Sequence, residues 1–131
     1  MTGLTPYLFF PGNAAEALRF YAEVFSGELS INTYAEFGRT DGPADATAHG
    51  MLMGRVELFA ADAGPDEDAV HIVGAVFSLL GTADPETLTA WFAALSVGGT
   101  VIDPFQERPW GAHDGRVTDR FGISWLIGYE H

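Results

Sequence analysis

Phe20-Tyr21-Ala22-Glu23-Val24 recurs 71 positions later in the chain as Trp91-Phe92-Ala93-Ala94-Leu95. A glycine follows each copy, at Gly27 and Gly98. Glycine commonly supplies the left-handed residue that ends a helix, so both copies are predicted to end there. A repeat at this spacing indicates that one structural unit is present twice.

The similarity extends to the residues before each copy. Tyr7-Leu8-Phe9-Phe10 aligns with Ser78-Leu79-Leu80-Gly81, and Asn13 aligns with Asp84. Asparagine and aspartate are both favoured at the N-cap of a helix. Each half is therefore predicted to contain, in the same order, a strand, an N-cap residue, a helix and a glycine that ends the helix.

Apolar residues within both helices follow the three-to-four spacing of a single helical face. In the first helix they are Ala14, Ala17, Leu18, Tyr21, Val24 and Phe25, and in the second Leu88, Trp91, Phe92 and Leu95. Strands are predicted at 28–36, 47–53 and 55–61 after the first helix, and at 100–102, 115–120 and 123–129 after the second. The sequence thus predicts an α+β domain of two βαβββ modules, covering about residues 1–62 and 70–131.

Several strand candidates are apolar at consecutive positions, for example Tyr7 to Phe10, 75–80 and Trp125 to Ile127. A strand with one face in bulk water would alternate apolar and polar residues. Both faces of these strands should therefore be sheltered. Two short sheets that curve around an apolar cavity would satisfy this pattern.

Composition excludes several classes of function. The 131 residues, 14.1 kDa in mass, have the length of one domain and contain no cysteine, which rules out disulfides, cysteine-ligated metals and cysteine nucleophiles. The net charge of -12, with six arginines and no lysine, disfavours nucleic acid and anionic membranes as partners and favours cations. Residues 1–6 lack the features of a signal peptide, so a cytoplasmic location is expected.

The segment from Leu4 to Tyr21, together with Trp110-Gly111 and the segment from Thr118 to Trp125, resembles the PhnB-like branch of a known superfamily. This is the glyoxalase/bleomycin resistance/extradiol dioxygenase superfamily, also called the vicinal oxygen chelate superfamily. The resemblance implies that 1–131 is a single domain of this type. It implies paired βαβββ modules that form a U-shaped mixed sheet around a small-molecule site, usually in a homodimer.

Enzymes of the superfamily hold a divalent metal with four His or Glu side chains, two from each module. The corresponding positions here fall near Pro6, on Glu57, near Val76 and near Leu126, and of these residues only Glu57 can bind a metal. The resemblance therefore predicts neither the usual metal site nor another cofactor. Branch members are often described as demethylubiquinone methyltransferases, but this chain lacks the glycine-rich strand-to-helix turn of a methyl-donor site.

Glu57 is the candidate catalytic residue. Alternation in its strand places Arg55, Glu57 and Phe59 on one face, where burial and a neighbouring arginine could tune Glu57 as a general base or ligand-binding carboxylate. The alternative is that this charged face is simply solvated. Asp62, Asp119 and Arg120 are assigned structural roles at strand ends and turns.

The predicted ligand-binding residues combine aromatic rings with nearby polar groups: Tyr7, Phe10, His49, Arg55, Glu57, Phe59, Trp110 and Trp125. Aromatic rings stack flat ligands or hold cations over their faces, although packing in a core is the alternative for each. The four histidines, His49, His71, His113 and His131, share no metal-ligand spacing. A displaced site that combines His49, Glu57 and one further histidine is the alternative.

Three functional hypotheses follow. The favoured one is a small-molecule-binding protein without the usual metal, with a cationic or aromatic ligand. The second is a divalent-metal-dependent isomerase or dioxygenase with displaced ligands, so enzymatic activity is left open. The third is a fold retained for assembly alone, with its cavity filled by side chains.

Overall fold

The computed structural model describes residues 3–130, which form two compact units divided between Val70 and His71. Each unit contains one helix and one four-stranded mixed sheet, in the order βαβββ. This confirms the predicted α+β architecture of two modules. The unit up to Val70 is termed module one, and the unit from His71 is termed module two.

The elements of module one are β1 Tyr7–Phe10, α1 Ala14–Phe25, β2 Glu28–Thr33, β3 Thr47–Met53 and β4 Leu58–Asp62. Its strands lie in the order β1-β4-β3-β2. β1 runs parallel to β4, and the other neighbouring strands are antiparallel.

The elements of module two are β5 Phe77–Leu80, α2 Pro85–Ser96, β6 Thr100–Glu107, β7 His113–Thr118 and β8 Ser124–Tyr129. They repeat the topology of module one, with the strand order β5-β8-β7-β6 and with β5 parallel to β8. Both helices have 12 residues, and α2 starts 71 positions after α1, as the repeat predicts. Neither of these helices, the two among residues 3–130, has the length and hydropathy needed to cross a bilayer.

One face of each sheet packs against the helix of its own module. In module one, Leu18 of α1 lies directly against Gly50 of β3, which pairs with Ala60 of β4. Ala60 in turn pairs with Leu8 of β1, so alternate residues of the three strands share this helix-covered face. In module two, α2 buries Leu88, Trp91, Phe92 and Leu95, the four residues that the helical spacing predicts.

The two helices begin differently, although both N-cap residues were predicted to cap. The Oδ1 atom of Asp84 accepts a hydrogen bond of 2.7 Å from the backbone N–H of Thr87, as expected for an N-cap. Asn13 holds the N-cap position of α1 but makes no side-chain capping bond. Instead, Asp62 of β4 accepts the Ala14 N–H at 2.8 Å, so the cap comes from a strand 48 residues away.

The end of α1 corrects a second expectation. The left-handed residue is Ser26, with φ of 54°, and not Gly27. A Cβ atom on Gly27 would lie 2.6 Å from Leu52 Cδ1 and 2.9 Å from the Met53 carbonyl oxygen, so Gly27 allows β3 to approach closely. Gly98 does have the predicted positive φ, of 75°.

Strand ends differ from the predicted ranges for local reasons. β2 ends at Thr33 and not at Glu36 because these two residues exchange side chain-to-backbone hydrogen bonds of 2.7 and 3.2 Å, which form a turn. β6 continues to Glu107 and not only to residue 102. It passes through Pro104, which an edge strand tolerates because the missing N–H leaves no ladder bond unmade.

Candidate ligand-binding site

Aromatic side chains gather on the face of the module-one sheet that is turned away from α1. Tyr7 pairs with Phe59 across β1 and β4, and Phe9 is two residues along the same strand. His49 belongs to the same face, because it alternates with Gly50, which lies against α1. Tyr7, Phe9, His49 and Phe59 are termed the aromatic face.

The rings of the aromatic face are in mutual contact. Tyr7 stacks on Phe9 with ring centroids 5.1 Å apart and meets Phe59 edge-on at 6.1 Å. The His49 ring lies 5.5 Å from Phe59 and 5.6 Å from Tyr7. These are the separations at which aromatic rings attract one another, so the cluster is a preformed surface.

A hydrogen bond of 2.9 Å joins the Tyr7 hydroxyl to Nδ1 of His49. It links residues 42 positions apart and holds the imidazole beside the rings. The Nε2 atom of His49 has no hydrogen-bond partner among residues 3–130, so it is available to a polar group of a ligand. The Tyr7 side chain is accessible as well, since the residue is 40% exposed.

Burial raises the pKa of the Tyr7 hydroxyl, the negative charge of Glu67 raises this pKa further, and Arg39 lowers it. The ordinary tyrosine pKa is about 10, so the Tyr7 hydroxyl keeps its proton throughout the neutral range. Tyr7 is therefore a neutral hydrogen-bonding group at this site and not a phenolate.

We expect Glu67→Gln to lower the pKa of Tyr7, because removing a nearby negative charge favours the phenolate. The amide keeps an oxygen for the bond of 2.7 Å that Glu67 accepts from the Gly64 N–H. The measurement is a ¹³C NMR titration of the tyrosine Cζ signals, with Tyr7→Phe as the assignment. Asp66→Asn removes the same charge from an exposed neighbour. An equal fall in the Tyr7 pKa in this control would contradict the assignment to Glu67.

Arg55 and Glu57 lie just before β4, which begins at Leu58 and not at the predicted residue 55. Arg55 is exposed and Glu57 is partly exposed. Within residues 3–130, neither side chain makes a hydrogen bond or an ion pair. The catalytic role of Glu57 stays a prediction.

Phe10 and Trp125 lie in the module cores. Phe10 is 1% exposed and alternates with Phe9, so it lies on the helix-covered face of β1. Trp125 is 2% exposed, and its Nε1–H donates a hydrogen bond of 2.9 Å to Asp119 Oδ2. By contrast, Trp110 is 72% exposed in module two.

The side chains that could bind a metal are dispersed. His49 belongs to the aromatic face, His71 and His113 belong to module two, and His131 lies outside the described residues. No group of three or more His, Asp or Glu side chains within residues 3–130 could hold a metal ion. The donors in the described part of the chain therefore do not fit the metal site of the superfamily.

Module one also contains a polar cavity of about 730 Å³ near the start of α1. Its walls include Glu16, Tyr34, Asp45 and Asp62, and none of the predicted site residues lines it. Both carboxylate oxygens of Asp62 already accept backbone N–H groups, from Ala14 and from Thr47. Asp62 is therefore structural, as predicted.

Two residues of the candidate site, Phe9 and Glu67, were not predicted from the sequence. The alternation of β1 contained a signal for Phe9, since residues two apart on a strand share a face. Glu67 belongs to the acidic stretch 63–68, where nothing in the pattern connects it to Tyr7.

Residues 2–128 match the sequence profile of the 3-demethylubiquinone-9 3-methyltransferase family. Among solved structures, protein PA1353 from Pseudomonas aeruginosa is 32% identical, with a TM-score of 0.81 over 99% of this chain and 98% of that one. The PhnB protein from Bacillus cereus is 23% identical, with a TM-score of 0.81 over 98% and 99%. A glyoxalase/bleomycin resistance protein from Albidiferax ferrireducens T118 is 13% identical and shares the fold, with a TM-score of 0.66 over 98% of both chains. The resemblance found in the sequence is thereby confirmed, and the chain belongs to the PhnB-like 3-demethylubiquinone-9 3-methyltransferase family, with the glyoxalase/bleomycin resistance fold.

Proposed function

We propose that this protein binds a flat aromatic small molecule on the aromatic face of module one without using a metal. The observation that carries the proposal is the Tyr7–His49 hydrogen bond within a cluster of contacting rings. The rings supply a stacking surface, and the hydroxyl–imidazole pair supplies polar groups that orient a ligand. Ligand sites commonly combine an apolar wall with a few fixed polar groups.

The negative charge of the protein limits the classes of ligand that it can bind. After burial, the negative charge of Glu67 is the second cause of the raised pKa of Tyr7, with Arg39 acting in the opposite direction, and the whole chain has a net charge of -12. An anionic ligand would be repelled by this field, whereas a neutral or cationic one would not. We therefore infer that the ligand is a neutral or cationic aromatic compound.

Two other activities have weaker support. A divalent-metal-dependent isomerase or dioxygenase needs a cluster of donors, and residues 3–130 contain no group of three. Methyl transfer, which the family description names, needs a site for a methyl donor. The turn from β1 to α1 contains Gly12 as its only glycine and not a glycine-rich sequence.

The proposal is tested with three probes of similar ring size: 2-naphthylmethanol, 2-naphthylmethylammonium and 2-naphthoate. In ¹H–¹⁵N NMR titrations we expect the neutral and cationic probes to shift the amide signals of β1, β3 and β4. Phe59→Ala should weaken this binding about three- to tenfold, because one stacking partner is lost. Phe37→Ala, which removes an exposed ring of module one outside the aromatic face, is the matched control.

Tyr7→Phe separates stacking from orientation, because it keeps the ring and removes the bond to His49. Weaker binding of 2-naphthylmethanol to this variant, with the ring contacts intact, would support the polar role of the pair. Binding of the naphthoate as tight as that of the ammonium, or shifts confined to module two, would overturn the proposal.

A cytoplasmic location and a homodimer remain predictions, made from the composition and from the family resemblance. Light scattering during size-exclusion chromatography tests the second. A mass near 14.1 kDa, that of one chain, would contradict the homodimer.

A further inference from the structure

Module two contains a cavity of about 490 Å³ that the proposed function does not use. It lies beside the ends of β5 and β8 and the start of β7. Its walls include Leu80, Trp110, His113, Tyr129 and Glu130. Aromatic and acidic side chains therefore share one small cavity.

The aromatic wall combines a free ring with a fixed one. Trp110 is 72% exposed, and its indole makes no ring contact or hydrogen bond to another of residues 3–130. Tyr129 is fixed, because its ring stacks on His113 with centroids 4.9 Å apart and an interplanar angle of 13°. The faces of tryptophan and tyrosine rings attract cations.

The acidic wall consists of Asp114 and Glu130. Asp114 accepts a hydrogen bond of 2.8 Å from Arg108, which also pairs with Asp103 at 2.6 Å, so two carboxylates share this arginine. Glu130 has no hydrogen bond or ion pair to any other residue in 3–130. Among the described residues that line the cavity there is no arginine, and His113 is the one basic side chain.

We propose that this cavity binds a small organic ammonium ion. Ring faces and a carboxylate that lacks a partner within the described chain are the groups that recognise a positive charge spread over methyl groups. Leu80 and Ala112 supply apolar contacts for those methyl groups. The proposal is independent of the aromatic face in module one, since the lining residues within the described range 3–130 all belong to module two.

The test compares choline with 3,3-dimethyl-1-butanol, which has the same shape without the charge. The indole N–H signals of Trp91, Trp110 and Trp125 are followed by NMR, with Trp110→Phe as the assignment. We expect choline to shift the Trp110 signal and the neutral alcohol to leave it in place. The Trp91 and Trp125 signals should not move, because both side chains are buried.

Three variants make the test specific. Trp110→Leu should weaken choline binding about tenfold, measured at the Tyr129 and Glu130 amides, and this exposed side chain can be replaced without disturbing the core. Glu130→Gln should weaken it roughly threefold. Glu86→Gln, at an exposed position on α2, removes the same charge and should leave the affinity unchanged.

A shift of the Trp110 signal that is as large with the neutral alcohol as with choline would overturn the proposal. Equal losses of choline affinity in Glu130→Gln and Glu86→Gln would overturn it as well. A Trp110 signal that moves on dilution of the protein and not with choline would overturn it too, since a second copy of the chain would then cover the cavity.

Discussion

Asp119→Ala is expected to destabilise the protein by about 3 to 5 kcal/mol, because two buried N–H donors and one partly buried N–H donor lose their acceptor at once. Asp119 is 3% exposed. Its Oδ1 atom accepts the Phe121 and Ile123 N–H groups at 2.8 and 3.2 Å, and Oδ2 accepts the Trp125 indole N–H at 2.9 Å. These bonds also confirm that Asp119 fixes the turn before β8, as predicted. Thermal unfolding should show a midpoint lowered by about 10 °C or more.

Asp103→Ala is the matched control for this prediction. Asp103 is a partly exposed aspartate of the same module, and its partner Arg108 keeps a second carboxylate in Asp114. The unfolding midpoint of this variant should stay close to that of the wild type. The unfolding midpoint of Asp119→Asn should lie between those of Asp119→Ala and Asp103→Ala, because one oxygen remains for the turn while an amide NH₂ replaces the other. A midpoint for Asp119→Ala no lower than for Asp103→Ala would contradict the structural role.

Gly115→Ala is expected to destabilise module two by about 3 kcal/mol, because an added Cβ has no room between β7 and β6. That Cβ atom would lie 2.8 Å from both the N and Cα atoms of Phe105 and 2.9 Å from the Asp103 carbonyl oxygen. All three are backbone atoms, so β6 itself must move. Phe105 contacts Phe92 of α2 at a ring separation of 5.2 Å, and this contact would be disturbed too.

Amide hydrogen exchange locates the effect of Gly115→Ala. We expect faster exchange along β6 and β7, with the module-one sheet unaffected. Gly74→Ala provides a contrast, because a Cβ there meets no atom within 4 Å and only the φ of 77° opposes it. Gly74→Ala should lower the free energy of unfolding by about 1 kcal/mol. Equal costs for the two substitutions would show that the approach of β6 to Gly115 does not matter.

The helices could be predicted closely because their signals are local. The apolar spacing, Pro85 at a first helical position and the duplicated segment all lie within short stretches of chain, and the observed helices agree with them. The cap of α1 could not be predicted in this way. The Asn13 side chain suits the role, but only the sheet reveals that Asp62 reaches the Ala14 N–H first.

For the candidate site too, individual residues could be predicted from the sequence, but their contacts could not. Tyr7, His49 and Phe59 were identified individually as aromatic or polar residues of strands, but no sequence pattern joins positions 7 and 49. Their contact depends on β4 lying between β1 and β3, with Tyr7 in register with Phe59. Phe10 and Trp125 carried the same aromatic signal, and strand alternation places both in the cores.

The sequence by itself determined the duplicated βαβββ order, both helices and the absence of any cysteine chemistry, because periodicity, composition and repetition are properties of neighbouring or equally spaced residues. The tertiary structure alone decided which side chains meet, from the Tyr7–His49 pair to Asp62 at α1 and the walls of the module-two cavity. Such contacts depend on strand order and register, and these are set by the packing of the whole sheet and not by any short segment.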